Sequence, residues 1–522
     1  VGSTGKSFER GIGTYGLMAS ISGLVHAAIF FLIGIRLWAF GKKHGFITQI
    51  QFFRSRFESD SLGYLLFPIL VLLVIPYLLI GIIGAGKTIE PVTAGAFPNI
   101  FMNPSAPQWL GGVPPWLTGL VVSMVVLSYV FMGGSRGAAF ANTFQTIVFM
   151  IMGLVAFTFI INALGGINNA GKVPARISEK GLVVQDFRFD KESGILRKNQ
   201  PPKTVGRVVD FEHPKLVDSQ PHFSREPVTV AFKKKNPKTG DLVPFERELG
   251  IPFITFVTYL FIPLSVGMFP HLFQHWLTAK SAKSFRLTVI AHPLCIMIVW
   301  VPCVLIGLWA TGKLPETTPG GAVLAKMVGI LIADPIVTGL VTAGILAAIM
   351  SSLDSQFLCL GTMFTNDIVI DRYGKDKFTD KQIVKIARLF VISIVVITYI
   401  LSIILYKKSV FDLAVWSFSG FASLTPLVFA ALYWKRCSKL GAIASIIAAI
   451  SVWFYYFKKS GYGGEYTVKA QWVVDKFGEG YGEGIMPVAL SFGAGAIAMV
   501  VISMVTPKPS KETIDKFFPK FG

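Results

Sequence analysis

Long apolar segments recur along the whole chain and are separated by short polar connectors. Each segment holds about 20 mostly apolar residues, which is enough for a helix to cross a hydrocarbon layer of roughly 30 Å. Turn and stop signals such as Pro114-Pro115 and Gly320-Gly321 fall between the segments. The pattern predicts eleven membrane-spanning helices, near residues 17–40, 62–86, 115–133, 138–164, 251–274, 288–312, 336–358, 386–406, 411–434, 439–457 and 485–506.

One long polar segment interrupts this pattern. Residues 165–250 form a stretch of 86 residues, with alternating apolar and polar runs that begin at Val228 and Leu242. The alternation predicts a small β-rich domain outside the membrane. Two interpretations stay open: a decorative insertion, or a surface that docks a partner protein or covers the outer vestibule.

The composition places most of this chain in lipid. Of its 522 residues, 52% are hydrophobic and 15% are charged, which excludes an ordinary soluble globular protein. The net charge of +20 comes largely from short basic clusters between apolar segments, so we expect no nucleic-acid partner. The four cysteines lie in or beside predicted helices without CxxC spacing, which indicates neither a disulfide framework nor a zinc site.

The basic residues also predict the orientation in the membrane. Outside residues 165–250 they concentrate in one alternating set of connectors, which includes Lys42, Arg136, Lys280 and Arg372. Positive connectors face the cytoplasm. We therefore expect an integral, multi-pass protein of a bacterial inner membrane, with the insertion outside and the C-terminus in the cytoplasm.

A formal match to a phosphate-binding loop is misleading. Residues Gly81 to Thr88 read Gly-Ile-Ile-Gly-Ala-Gly-Lys-Thr, but that motif needs a preceding strand in a soluble α/β domain. Here it follows a long apolar segment, so we interpret the glycines as part of a helix end. The sequence also lacks HExxH or comparable metal-ligand spacing. We expect neither an enzyme nor a bound cofactor.

Hydroxyl and carboxylate side chains cluster inside one predicted span. On a helix, Ala348, Ser351, Ser352 and Ser355 share one narrow face, and Asp354 points about 60° to the side of Ser351. Polar groups at mid-membrane depth must be satisfied by other helices, water or a cation, and sodium is a hard ion that prefers oxygen ligands. The chemistry alone leaves two interpretations open: a sodium site, or serines that allow close helix packing.

Four stretches resemble the sodium/solute symporter family, which includes sodium/proline, sodium/pantothenate and sodium/glucose carriers. The polar cluster, Ala-Ala-Ile-Met-Ser-Ser-Leu-Asp-Ser followed by Thr-Asn-Asp-Ile, is similar to the signature of the eighth core helix of that family. The others agree in order and spacing. The four stretches are 347–355 with 365–368, 133–136 with 142–145, 270–280, and 426–436.

The resemblance implies an all-α polytopic membrane protein with two inverted five-helix repeats, similar to the leucine-transporter architecture. It also aligns Val1–Gly5 with the middle of the first core helix, so we expect further sequence upstream, including the missing N-terminal half of that helix. The implied organisation is residues 1–164 as the first repeat, 165–250 as the external insertion, 251–434 as the second repeat, and 435–522 as extra helices with a cytoplasmic tail.

Carried over residue by residue, the resemblance implies a sodium site with sodium as the coupling ion. Ala348 matches it through its carbonyl, and Ser351 and Ser352 through their hydroxyls. The chain also departs from the family. Asn142 stands where some members carry an acidic residue, and Asp354 stands where those members can have serine. A second cation or proton site formed by Asp354, Ser355 and Asn142 is therefore a further hypothesis.

The expected function is sodium-coupled, alternating-access transport of a small solute across the lipid bilayer. Lys6 and Arg10 could attract an anion, or could be interfacial anchors, and the first role would favour an organic acid or amino acid as the solute. The alternative function is a non-transporting scaffold or sensor whose external domain docks a partner. Either a ligand role or a helix-capping role remains open for His271. The candidate solute residues are Gly2, Ser3, Gly5, Phe269, His271 and Ser419, and the candidate gating residues are Gly420 and Pro426.

Overall fold

The computed structural model shows a bundle of long apolar helices. Among the residues that it describes, ten helices are long and apolar enough to cross a membrane. A bent pair of shorter helices brings the number to eleven if the pair counts as one span, in agreement with the prediction. The described residues are 2–11, 13–16, 21–97, 100–101, 111–167, 187–190, 195–197, 223–224, 228–235, 242–311, 313–314, 318–332, 334–478 and 484–518.

The helices follow the predicted apolar segments, with shorter helices between some of them. Short helical turns also occur at Gly13–Tyr15 and Lys375–Lys377. In chain order the helices are α1 (Gly2–Arg10), α2 (Ser22–His44), α3 (Gln49–Phe57), α4 (Asp60–Val92), α5 (Pro115–Gly134), α6 (Arg136–Ala163), α7 (Phe253–Gly267), α8 (Pro270–Thr278), α9 (Lys283–Ala310), α10 (Gly320–Leu331), α11 (Pro335–Tyr373), α12 (Asp380–Ile404), α13 (Val410–Tyr433), α14 (Lys439–Lys459), α15 (Gln471–Phe477), α16 (Pro487–Val505) and α17 (Lys511–Phe517).

Local capping signals set the first residues of several spans. The Ser59 hydroxyl accepts a hydrogen bond from the backbone of Leu62 at the start of α4. Asp334 caps α11 through two backbone amides. Thr379 and Gln382 form a reciprocal capping box at the start of α12. These caps satisfy amide groups that would otherwise lack partners at a helix end.

Two spans are interrupted where the sequence breaks helical geometry, and a kink joins two other spans. Helices α7 and α8 meet at an angle of 48°, because Phe269 has an extended backbone and Pro270 starts a new helix. Helix α13 is broken at Leu424, just before Pro426. Helices α5 and α6 join at Gly134, whose φ of 55° favours glycine. Irregular backbone of this kind is tolerated at membrane depth where it is buried or lines a cavity.

Helix α11 is longer than the sequence pattern predicts. The apolar segment ends near residue 358, but the helix continues to Tyr373 and includes a π-helical section at Thr365–Ile370. The added turns are polar and contact α3, where the Thr48 hydroxyl donates to the Asp367 carboxylate at 2.8 Å. The hydropathy pattern cannot show this extension because only the apolar part of a helix produces a hydropathy signal.

The spans differ in how deeply they are buried in the bundle. In the most apolar window of α13, 83% of the residues are buried, compared with 11% for α9. Helix α13 therefore lies at the centre, and α9 presents most of its side chains to the surroundings. This explains why α13 carries many polar residues, whereas α9 is mostly apolar.

The described part of the insertion contains short strands beside the end of α1. The Gly250 amide donates to the Arg10 carbonyl at 2.9 Å, and we call this end of the bundle the insertion side. Strand β4 pairs antiparallel with β5, β1 pairs antiparallel with β2, and β3 pairs parallel with β6. The strands are β1 (Phe187–Asp190), β2 (Ile195–Arg197), β3 (Phe223–Ser224), β4 (Val228–Lys235), β5 (Leu242–Leu249) and β6 (Ile251–Pro252).

The C-terminal helix α17 packs on α3 at the opposite end, which we call the tail side. Phe517 is 2% exposed and lies among aromatic rings of α2 and α3, including Phe40 at 5.0 Å and Phe52 at 5.8 Å between ring centroids. The Lys516 amine donates to the Ser55 hydroxyl at 2.7 Å. Helix α17 is therefore part of the folded bundle.

Candidate functional site

The predicted sodium ligands on α11 lie close together. The Ser351 hydroxyl donates to the Ala348 carbonyl at 3.0 Å, and the Ser352 hydroxyl approaches the same carbonyl at 3.5 Å. Three oxygens thus converge within one turn of helix. Ser352 is exposed, so this cluster is accessible from outside the packed core. Neutral oxygens at this spacing suit a hard monovalent cation.

An apolar cavity lies beside this cluster. It has a volume of about 160 Å³ and is lined by α6, α9, α10 and α11, with Ala348 at its edge. Met152, Ile298 and Val341 are among its lining residues. Because the lining is mainly apolar, the cavity itself offers little to an ion. The oxygens face a boundary between polar and apolar surroundings.

The structure brings together the three residues predicted for a second cation or proton site. Asp354 is fully buried, and its carboxylate accepts hydrogen bonds from Asn142 Nδ2 at 2.9 Å and Ser355 Oγ at 3.2 Å. Asn142 Nδ2 also lies 2.9 Å from Ser355 Oγ. The buried Asn142 Oδ1 has no hydrogen-bond partner among the described residues. It is an oxygen that a cation could use.

Sequence reasoning missed a fourth member of this group. The Tyr129 hydroxyl, on α5, donates to the second oxygen of Asp354 at 3.1 Å. These residues are 225 positions apart, and nothing in the sequence around Tyr129 signals the contact. With Tyr129 included, both oxygens of the Asp354 carboxylate accept hydrogen bonds, as a buried charge requires.

Phe269 and His271, predicted to contact the solute, lie at the break between α7 and α8. Their rings stack with their centroids 5.6 Å apart, and the ring centroid of Tyr77 of α4 lies 5.3 Å from that of Phe269. Phe418 and Phe421 of α13 lie 5.3 Å and 5.2 Å from Phe269. The break is therefore enclosed by aromatic side chains from three spans. Sequence reasoning missed Tyr77, Phe418 and Phe421, because their contacts depend on tertiary packing.

The other predicted solute residues lie elsewhere. Gly2 lies against Phe411, Ser3 beside it is half-buried, and Gly5 packs so closely on Gly320 that a side chain would overlap its backbone. All three belong to α1, on which the insertion side is built. The structure does not bring the predicted solute residues together in one place.

Ser419 faces the C-terminal helices instead of the break in α7 and α8. Its hydroxyl accepts a hydrogen bond from Trp453 Nε1 of α14 at 2.9 Å and donates to the Trp416 carbonyl at 2.8 Å. The first contact joins α13 to α14, and the second lies within α13. They explain the buried serine as a packing element between these two helices.

The predicted gating residues lie at or near the break in α13. Gly420 packs on Leu73 of α4 without room for a side chain. Pro426 starts the second half of the helix. Next to it, Thr425 donates to the Leu264 carbonyl of α7 at 3.2 Å. A polar contact thus connects the two broken spans.

A buried ion pair joins α1 to α13 at the insertion side. Lys6 is 7% exposed, and its amine lies 3.7 Å from carboxylates of both Asp412 and Glu9. The amine also lies 4.2 Å from the centre of the Tyr466 ring. Neither expected role of Lys6, anion attraction or interfacial anchoring, describes these contacts.

Helix α3 makes the corresponding contacts at the tail side. Arg54 forms an ion pair with Asp371 of α11 at 2.6 Å. Gln49 donates to the Met268 carbonyl in the break between α7 and α8 at 3.3 Å. Arg56 donates at 2.9 Å to the Ala431 carbonyl near the end of α13. One short helix therefore contacts three spans, two of which are broken.

The comparison with protein families decides the classification. The model of the sodium:solute symporter family matches residues 112–449. This chain belongs to that family. The match begins before α5 and includes Asn142, the α7–α8 break and the whole oxygen cluster of α11. Helix α1, with Gly2, Ser3 and Gly5, lies outside the matched residues.

Several proline transporters of the family are similar in sequence. The osmoregulated proline transporter OpuE of Bacillus subtilis (strain 168) is 27% identical over 283 residues, which are 51% of this chain and 51% of that protein. A sodium/proline symporter of Staphylococcus aureus (strain bovine RF122 / ET3-1) is 25% identical over 399 residues, or 75% of this chain and 62% of that protein. The chain spans about half the length of the first relative and under two thirds of the second.

A solved symporter of the same fold covers nearly the whole chain. It is a Na⁺-coupled sialic acid symporter in a substrate-bound outward-open state, with a TM-score of 0.56 and 15% sequence identity. The similarity covers 98% of this chain and 91% of that one. At this identity the comparison shows a shared fold and nothing about the solute.

Proposed function

We propose that this chain is a sodium-coupled secondary transporter of a small organic solute. The observation that carries the proposal is the convergence of the Ser351 and Ser352 hydroxyls on the Ala348 carbonyl, in a chain of the symporter family. Such neutral oxygens can replace water around sodium at low cost. The mechanism is alternating access, in which sodium binding favours the conformation with higher affinity for the solute.

The proposed architecture consists of two inverted repeats of five spans. The first repeat contains α1, α2, α4, α5 and α6, within residues 1–164. The second contains the α7–α8 pair, α9, α11, α12 and α13, within residues 251–434. Helices α14 and α16 are then additions, residues 435–522 end in the cytoplasm, and residues 165–250 form a β-rich external insertion. Discontinuous helices near the midplane usually form the binding sites of such repeats.

The solute site that we propose lies at the α7–α8 break, beside Phe269 and His271. Tyr77 and Phe418 would form its walls, and Thr425 would connect it to the break in α13. An aromatic enclosure with few polar groups suits a small, partly apolar organic acid or amino acid. The names of the proline transporters among the relatives support this class of solute.

A second site of this proposal is the buried group around Asp354. Because Asn142 Nδ2 donates to the Asp354 carboxylate and the buried Oδ1 of the same amide has no hydrogen-bond partner among the described residues, the group could hold a second cation or a proton during transport. Compared with family members that are acidic at the position of Asn142, this chain would carry its carboxylate on α11 instead of α6. The ion pathway would still contain a single negative charge. The stoichiometry of sodium to solute depends on this group.

Thermal unfolding of the purified chain in sodium chloride, compared with choline chloride at equal ionic strength, tests the sodium site. A ligand at 100 times its dissociation constant stabilises the folded state by about 2.7 kcal/mol. We expect sodium to raise the unfolding temperature of the parent and to have a much smaller effect on Ser351→Ala and Ser352→Ala.

The matched control is Ser393→Ala on α12, because Ser393 is an exposed helical serine that donates only to the Leu389 carbonyl of its own helix. It should respond to sodium as the parent does. If sodium stabilises none of these proteins, the proposal of sodium coupling is wrong. If it stabilises all four equally, sodium binds elsewhere and the α11 assignment is wrong.

A further inference from the structure

A second, acidic cavity lies at the tail side, far from the serine cluster. It has a volume of about 530 Å³ and lies between α3, the start of α4 and the end of α11. Four carboxylates line it, from Glu58, Asp60, Asp367 and Asp371, together with the guanidinium of Arg54 and the imidazole of His44. The Lys516 amine adds one further positive charge, because it donates to the lining residue Ser55. Arg54 is already paired with Asp371 at 2.6 Å. The lining therefore has a surplus of negative charge.

Asp367 is a buried carboxylate of this cavity with only one of its two oxygens hydrogen-bonded among the described residues. It is 1% exposed, and its Oδ1 accepts a hydrogen bond from Thr48 at 2.8 Å. Its Oδ2 is buried and has no hydrogen-bond partner among the described residues. Arg54 donates to the backbone carbonyl of Asp367 and not to this oxygen. A buried carboxylate oxygen without a donor is costly unless a cation or a proton approaches it.

The neighbouring groups determine which cation fits. Asn366 also lines the cavity, and its amide nitrogen donates to the Thr362 carbonyl, which leaves its side-chain oxygen for other partners. Within the part of the chain that the structure describes, no group of three or more His, Cys, Asp or Glu side chains could hold a metal ion. A divalent cation would lack sufficient protein ligands. A small monovalent cation can instead keep part of its water in a cavity of this size.

Asp367 and the serine cluster lie on the same helix. Fifteen residues separate Ser352 from Asp367, which is about 22 Å along an α-helix. This distance extends from the middle of a span to its polar end, beyond the apolar part of α11. The acidic cavity therefore lies on the tail side of the serine cluster, at the polar end of the same helix.

We propose that the Asp367 cavity is a low-affinity sodium site through which the coupling ion leaves toward the tail side. This inference takes the identity of the ion, sodium, from the proposed function. The carboxylates give an ion that has already left the serine site a transient site near the tail side, and the wide cavity lets water replace the protein ligands. Carboxylate oxygens, with their strong local field, favour sodium over the larger potassium ion.

Sodium titration of the unfolding temperature, with choline chloride keeping the ionic strength constant, tests the site. We expect two phases in the parent: a high-affinity phase lost in the Ser351→Ala/Ser352→Ala double variant, and a low-affinity phase retained there. Asp367→Asn should raise the dissociation constant of the low-affinity phase by about tenfold or more. The substitution keeps an oxygen for the Thr48 hydroxyl. Because each variant is compared with itself in choline, a general change in stability cancels.

The control is Asp380→Asn, since Asp380 is an exposed carboxylate at the start of α12 and does not line the cavity. It should titrate as the parent does. An unchanged low-affinity phase in Asp367→Asn would overturn the inference, as would equal stabilisation by potassium chloride. If the parent shows no high-affinity phase but does show a low-affinity phase that Asp367→Asn weakens, the proposed function is refuted and the cavity site is supported.

Discussion

At the residue scale, Asn142 and Asp354 form a buried pair of one neutral amide and one carboxylate, so the pair carries a single negative charge. Asn142 Nδ2 donates to the Asp354 carboxylate at 2.9 Å, and both side chains are enclosed by α5, α6 and α11. Asn142→Asp would place two carboxylates at this spacing, where they repel each other. We expect it to destabilise the chain in choline chloride by about 3 kcal/mol, as for other uncompensated buried charges. Thermal unfolding measures the loss.

The exchange of the two residues is the matched control. Asn142→Asp combined with Asp354→Asn restores one carboxylate and one amide, so most of the lost stability should return. If the double variant is as unstable as Asn142→Asp alone, the balance of charge does not explain the pair. If sodium also restores the single variant selectively, the second cation site gains support.

Another residue-scale prediction concerns the close approach of α1 to α10. A side chain at Gly5 would overlap the backbone of Gly320, which cannot move as a flexible side chain could. We expect Gly5→Ala to lower the free energy of unfolding by about 1–3 kcal/mol, as overpacking does elsewhere. Gly153→Ala on α6 is the control, because no atom lies within 4 Å of the added group. It should be neutral or slightly stabilising through helix propensity.

At the scale of elements, α3 and α17 act together at the tail side. Phe517 is almost fully buried between Phe40 and Phe52, so Phe517→Ala should weaken the docking of α17 by about 3 kcal/mol. Hydrogen exchange of residues 511–517 measures the release. Phe31→Ala on α2, where the side chain is 60% exposed, should leave that exchange unchanged. Unaltered exchange in Phe517→Ala would show that other contacts hold the helix.

The attachment of α17 should also depend on pH. Glu58 lies between α3 and α4, and the hydrogen bond from the Ser510 side chain is the main cause that lowers its pKa from the ordinary value of 4.5. The attached state therefore favours the carboxylate. Its contribution is complete above pH 4.5 and is lost as the pH falls through the lower pKa of the attached state. Exchange at residues 511–517 should increase over that range, and Glu58→Gln should remove the dependence.

At the scale of the whole molecule, the sequence predicts what lies within one helix better than what lies between helices. The spans follow from hydropathy, and Ala348, Ser351 and Ser352 could be grouped because helical spacing alone places them on one face. Tyr129 and Asp354, 225 residues apart, could not be paired in this way. Their contact depends on which helices are neighbours and at what height, and every apolar helix satisfies the same hydropathy pattern.

The same limit explains why the sequence identifies only some residues of the proposed solute site. Phe269 and His271 can be named from the sequence because the stretch around Pro270 resembles other members of the family, whereas Tyr77 and Phe418 reach that stretch from other helices. Ser419 was grouped with them because it lies on the right helix, but the sequence does not reveal that it faces Trp453. Direction around a buried helix is hard to predict when polar residues occur on several of its faces.

The proposed alternating-access mechanism predicts that the two ends of the bundle are coupled. Lys6 and Asp412 join α1 to α13 at the insertion side, while Arg54 and Asp371 join α3 to α11 at the tail side. If one end opens only when the other is closed, weakening one ion pair should favour opening there and closure at the opposite end. A loss of about 1 kcal/mol would change the ratio of the two conformations roughly fivefold.

We therefore expect Lys6→Gln to speed hydrogen exchange in α1 and slow it in α3, and Arg54→Gln to do the reverse. Lys385→Gln, at an exposed position of α12, should change neither. Faster exchange at both ends in either variant would mean that the two ion pairs only stabilise the fold and do not couple the two sides.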